Sequence, residues 1–201
     1  GPRTIEKLGA WLETAKQQRP LFLFLHLWDV HYDYIPPEPY ASMFDPDYAG
    51  KLDGRAIAGH GFPLDAAPRD VEHLLALYDG EISFTDSQVG RLLDGLQASG
   101  AARDTLICLV ADHGESLGEH DFFFDHGDYV YNATLRVPLA FVPPKTDSTS
   151  VGRVVDDWVS LVDVTPTLVE LLGLQVSDDV RRGLQGRSLA PYLKGRSLPP
   201  R

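Results

Sequence analysis

Two apolar runs without alternation, residues 21–25 (Leu-Phe-Leu-Phe-Leu) and 105–110 (Thr-Leu-Ile-Cys-Leu-Val), constrain the fold more than any other feature of this chain. A strand with one wet face alternates apolar and polar residues. A run apolar throughout reads as a strand covered on both faces, as in a parallel sheet between helical layers. Between the two runs, Val71, Leu74, Leu75, Leu77, Tyr78, Ile82, Val89, Leu92, Leu93 and Leu96 keep helical spacing, predicting a helix over 70–98 that ends at Gly100. A helix over 4–18 with Thr4 as its cap, a third strand over 137–142, an edge strand over 154–159, a helix over 161–172 with Pro166 in its first turn, and a short helix near 189–193 complete the reading. Strand, crossover helix and strand predict an α/β class, a mainly parallel sheet flanked by helices.

Residues 34–64, with Pro36, Pro37, Pro39, Pro46 and Pro63, keep no period and read as a long surface excursion of the kind that usually carries function. Residues 143–152 read as a polar linker. The expected organisation is therefore an α/β domain over 3–145 and a small C-terminal subdomain over 146–201. With 18 Lys+Arg against 29 Asp+Glu, the net charge of −11 argues against nucleic acid as a partner. The lone Cys108 leaves no intrachain disulfide framework and no cysteine-based zinc cluster. The longest apolar stretch, 20–27, contains His26 and is too short to span a bilayer. Gly1-Pro2 reads as a cleavage scar, and any targeting peptide is expected to have been removed or never to have belonged to this piece.

Both strong runs end in the same chemistry, His26 to His31 after the first and Asp112-His113-Gly114-Glu115 after the second. In open α/β sheets ligands bind beyond the carboxyl ends of the strands, so this coincidence points to a site. A carboxylate beside an imidazole can turn to one divalent cation, with Gly114 expected to let the backbone bend there. Three of the chain's seven histidines, His113, His120 and His126, fall within fourteen residues, a cluster suited to holding an anionic oxygen or moving a proton near neutral pH. His31, beside Trp28, Asp29, Tyr32 and Tyr34, reads as a ligand contact, whereas His26 reads as a core or supporting residue. Asp29, Asp33 and Asp125 could each bear on substrate or metal. Asp79, Glu81 and Asp86 read as a solvated helix face, Cys108 as buried and inert, and His60 and His73 as incidental.

The run Leu109-Val110-Ala111-Asp112-His113-Gly114-Glu115-Ser116-Leu117-Gly118-Glu119-His120, with His126-Gly127 and Leu135-Arg136-Val137-Pro138-Leu139, resembles the sulfatase family of the alkaline-phosphatase superfamily, bacterial type. So do His26–His31, Tyr78-Asp79-Gly80-Glu81-Ile82, and Leu161 to Leu168 with Gly186-Arg187-Ser188-Leu189. The resemblance implies an alkaline-phosphatase-like fold, here a truncated C-terminal portion. It implies metal ligation by Asp112 and His113, catalytic roles for His31 at the sulfate oxygens and His126 on the leaving-group side, and a divalent metal, calcium in sulfatases and manganese or zinc in phosphoryl-transfer relatives. It further implies hydrolysis of a small-molecule or glycan sulfate ester by a formylglycine nucleophile, and a periplasmic or secreted location. The nucleophile's Cys-x-Pro/Ala-x-Arg motif and the strand ending in paired aspartates are not in this chain, and Asp125 stands where many members place an anion-binding Lys. The chain as given is therefore expected not to turn over sulfate esters, and its exposed sheet edge is expected to favour self-association. The alternatives are a phosphodiesterase, phosphonate hydrolase or phosphotransferase of the same superfamily, or a non-catalytic module.

Overall fold

In the computed structural model, which describes residues 2–15, 20–55, 57, 66–144 and 152–200, the longest element is helix α2, Pro68–Ala98. Pro68 fits the first turn, where its missing N–H costs nothing, and Asp70 places a carboxylate at the positive end of the helix. Gly100, at φ +76, ends it in the left-handed region. The helix runs unbroken through Gly80 and Gly90, and a Cβ at Gly80 would lie 2.6 Å from the Tyr40 carbonyl oxygen. Its buried stripe, Leu74, Leu77, Glu81, Phe84 and Gln88, follows the alternating three–four spacing of one helix face. Helix α1, Pro2–Ala15, packs on α2 and buries Ile5 and Leu8; Thr4 lies inside it rather than capping it. The expected end of α1 at 18 lies outside the described residues.

The chain forms two compact units. The first holds residues 1–100 and 113–137, the second 101–112 and 138–201. The core of the first unit is Tyr34, Ile57, Leu74, Leu77 and Phe124. The 34–64 excursion thus contributes to the core instead of only covering it, and Tyr34 is tied down by its N–H donating to the Gly54 carbonyl at 3.1 Å. Strands β2 (Ser116–Leu117) and β3 (Phe123–Asp125) form a short antiparallel pair, followed by helix α3, Asn132–Leu135.

Residues 21–25 do not form a strand. Phe22 and Phe24 are 76% and 79% exposed. An apolar run signals a preference for burial, but a strand also needs a neighbour's N–H and C=O groups, and none among the described residues pairs with this segment.

In the second unit β1 (Ile107–Val110) pairs with β4 (Leu139–Val142), with Val110 opposite Leu139 and Ile107 opposite Val142. The pairing is antiparallel, not the parallel arrangement expected. The chain leaves β1 at Val110 and re-enters β4 at the facing residue, so residues 111–138 act as one long hairpin connection rather than a crossover. Leu109 and Val110 are exposed, and 154–159 forms no strand. Helix α4, Val164–Leu171, starts after a turn at Leu161–Asp163, with Pro166 in its first turn as expected. The buried Asp163 carboxylate accepts the N–H of Ser160 (2.9 Å) and of Arg187 (2.8 Å), and Thr167 accepts the N–H of Leu189 (2.8 Å). This ties the 161–168 motif to 186–189. Helices α5, Asp178–Gly183, and α6, Ala190–Leu193, complete the unit.

Candidate active site

Glu81 organises one side of the site. It projects from the buried face of α2, and its carboxylate accepts the backbone N–H of Ile35 at 2.9 Å and that of His31 at 3.4 Å. Burial pushes its pKa up to about 7, against the lowering effect of those two N–H groups. Asp33 accepts the N–H of Ile57 at 2.9 Å, so the 31–35 segment is held from two sides. His31 donates from Nδ1 to the Tyr32 carbonyl at 2.7 Å, and its ring lies 4.6 Å from Trp28 and 4.3 Å from Tyr32.

The other side comes from residues 113–126. Gly114 is needed for close approach rather than for a sharp bend: its φ is not in the left-handed region, but a Cβ there would lie 2.1 Å from the Ala133 carbonyl oxygen. Its N–H donates to the Thr134 carbonyl at 2.8 Å. With the backbone docked on α3 in this way, Glu115 points inward and is buried. Its Oε1 lies 3.0 Å from Nδ1 of His126, and its Oε2 accepts the hydroxyl of the fully buried Tyr34 at 3.1 Å. Burial and the adjacent Glu115 carboxylate push the Tyr34 phenol far above its ordinary range, which keeps it a donor. Asp125 accepts the N–H of His126 at 2.8 Å.

Three imidazoles meet here. His113 and His126 stack with ring centres 3.8 Å apart, and His31 lies 5.2 Å from His126 and 6.5 Å from His113. Tyr32 also stacks on His126, at 5.4 Å. His113 donates from Nδ1 to the Gly114 carbonyl at 3.0 Å. Each of the three rings thus commits Nδ1 within the chain, which places the neutral lone pair on Nε2.

His31, His113 and His126 are therefore brought together as expected. Asp112, exposed, belongs to the second unit and follows β1. Three other histidine readings change. His26 is exposed rather than in the core, and His120 stacks on Tyr131 at 4.0 Å. His73 is not incidental, since its Nδ1 lies 2.8 Å from Asp45. His60 lies outside the described residues. Asp79 and Asp86 are solvated as expected, whereas Glu81 is buried; the three–four stripe of α2 was the signal that could have found it. Cys108 is half-buried, and burial pushes its thiol pKa up. Glu115 and Tyr34, 81 residues apart, gave no spacing signal.

Within the first unit, His113, with Nδ1 committed to a carbonyl, offers Nε2 as one donor of the kind a hard or borderline divalent cation accepts. One donor does not complete a coordination shell, and among the described residues no group of three or more His, Cys, Asp or Glu is arranged to hold a metal ion. None of the described helices is long and apolar enough to cross a membrane.

The chain is 29% identical over 207 residues to the multifunctional alkaline phosphatase superfamily protein PehA of Trinickia caryophylli, covering 89% of this chain and 38% of that protein. It is 31% identical to a sulfatase of Formosa agariphila, over 79% of this chain and 33% of that one. The structure of a phosphonate monoester hydrolase of Agrobacterium radiobacter superposes with a TM-score of 0.78 at 26% identity, covering 96% of this chain and 42% of that one. The α/β alkaline-phosphatase-like fold is thereby shared, and the chain spans between a third and about two fifths of the length of these relatives. The sulfatase family model matches residues 3–174, most of the chain and all three converging histidines, and the chain belongs to that family.

Proposed function

We propose that this chain is the C-terminal part of a metal-dependent sulfuric ester hydrolase. The observation that carries the reading is the convergence of His31, His113 and His126 on one side of the first unit, all with Nδ1 engaged. Asp112 and His113 would hold the divalent metal, calcium in this reading. When bound, the metal supplies positive charge against the oxygens of the transferring sulfuryl group. His31 would bind a sulfate oxygen through Nε2–H when protonated. His126, when protonated on both nitrogens, would donate its Nε2 proton to the ester oxygen as the S–O bond breaks, releasing the alcohol, while its Nδ1–H stays hydrogen-bonded to Glu115. The nucleophile, a formylglycine in this reading, would come from a segment preceding residue 1. The substrate class is a small-molecule or glycan sulfate ester, the location periplasmic or secreted, and the open edges of the β1–β4 pair favour a homo-oligomer.

A second reading, phosphonate monoester or phosphodiester hydrolysis with manganese or zinc, draws support from the superposition on a phosphonate monoester hydrolase. Expressing the gene with its upstream segment and assaying an aryl sulfate against a phenyl phosphonate, with and without EDTA, decides between them. The sulfatase reading expects metal-dependent sulfate release, and faster phosphonate cleavage would overturn it. Titrating the present chain with calcium or manganese should show weak binding that Asp112→Ala abolishes.

A further inference from the structure

We propose that Glu115 is a positioning residue that fixes His126 with its proton on Nδ1 and its lone pair on Nε2, and that the buried Tyr34 hydroxyl holds Glu115 in that role. The inference rests on the reading of His126 as an acid–base group. Ionised, the buried Glu115 carboxylate only accepts hydrogen bonds, and both of its oxygens are engaged: Oε2 with the Tyr34 hydroxyl at 3.1 Å, Oε1 with Nδ1 of His126 at 3.0 Å. Tyr34 is fully buried and stays a donor, so it specifies the acceptor state of Glu115. The only imidazole complementary to that acceptor carries its proton on Nδ1.

The three site rings are not equivalent in this respect. His31 and His113 donate to the neutral carbonyls of Tyr32 and Gly114, at 2.7 and 3.0 Å. His126 donates from Nδ1 to a carboxylate, whose side chain is only 5% exposed. A charge-assisted hydrogen bond is roughly twice as strong as a neutral one and discriminates more sharply between tautomers. The rings of His113 and Tyr32, tilted only 22° and 28° from that of His126, lie against it and hinder a flip. Nε2 is left as the nitrogen that meets a reacting oxygen, and a proton gained or lost there leaves the Glu115 contact intact.

Long-range 1H–15N correlation of the histidine rings in the whole labelled chain, above the titration range of the rings, tests this. His126 should show a protonated Nδ1 and an unprotonated Nε2. Glu115→Gln, whose amide can turn an N–H toward the ring, should shift His126 to a tautomer mixture and leave His31 as it was. Tyr34→Phe should produce a smaller shift in the same direction, and it carries the test if the first variant does not fold. A wild-type His126 protonated on Nε2, or signals that neither variant moves, would overturn the proposal. An extended enzyme inactive on sulfate esters with this tautomer intact breaks the hydrolase reading instead.

Discussion

Two histidine–carboxylate pairs sit in the first unit with nearly the same geometry, His126–Glu115 at 3.0 Å and His73–Asp45 at 2.8 Å. What surrounds them differs. Arg69 engages both oxygens of Asp45 and lies 5.2 Å over the Tyr48 ring, which stacks on His73 at 3.6 Å and donates its hydroxyl to Asp70 at 2.6 Å. The Arg69 guanidinium holds the Asp45 carboxyl down at about 2, with His73 adding to the effect. That carboxylate is neutralised by a permanent cation, and the cluster clips the excursion to the first turns of α2. Among the described residues no Lys or Arg is paired with Glu115; its partners are a phenol and an imidazole. The lesson is that a fixed guanidinium turns a His–carboxylate pair into a fastening, while its absence leaves the imidazole as the one mobile charge.

The contrast can be broken by substitution. The largest effect is expected for Glu115→Ala, which strands the Tyr34 hydroxyl and His126 Nδ1 in a dry corner and should cost about 3 kcal/mol in urea unfolding. A cost no greater than that of Asp45→Ala would erase the distinction drawn here. Next comes Glu81, another inward carboxylate with no Lys or Arg paired to it among the described residues. Its pKa is raised from 4.5 to about 7, so the folded state favours the protonated form. The stability this gives is full below about pH 4.5 and disappears as pH rises through 7, a loss of about 1–2 kcal/mol after solvent screening. Glu81→Gln should flatten that decline, and an unchanged slope would show that its proton affinity is ordinary. Tyr34→Phe should cost about 1 kcal/mol, since it removes one buried hydrogen bond and leaves the carboxylate on His126. The smallest effect is on the clip. Asp45, lowered from 3.8 to about 2, contributes stability above pH 4 that is lost as pH falls toward 2, and Asp45→Asn should remove only that acid-limb slope.

Periodicity made α2 and α4 legible, because one-sided burial leaves a three–four pattern in the text. The same pattern places Glu81 inward, although a charged side chain ordinarily signals a solvated face. The segment 21–25 departs from its expected strand because apolar content reports a wish for burial and is silent about who supplies the neighbouring hydrogen bonds. The β1–β4 pair departs from the expected parallel arrangement because strand order in a sequence carries no direction for a long connection. Of the site, the imidazoles were visible since they lie in short motifs. Glu115's partnership with Tyr34 joins residues 81 apart through packing alone, and no local spacing could announce it.

Gly114 offers no atom to any reaction, yet a side chain there would collide with the Ala133 carbonyl, 2.1 Å from where Cβ must go. Any replacement should push residues 132–135 away from β2, displace the neighbouring Glu115 carboxylate and loosen its hold on His126. A saturation mutagenesis screen scored by turnover would rank this hydrogen-only position alongside the reactive side chains, and a reader of that screen alone would mistake a steric vacancy for chemistry.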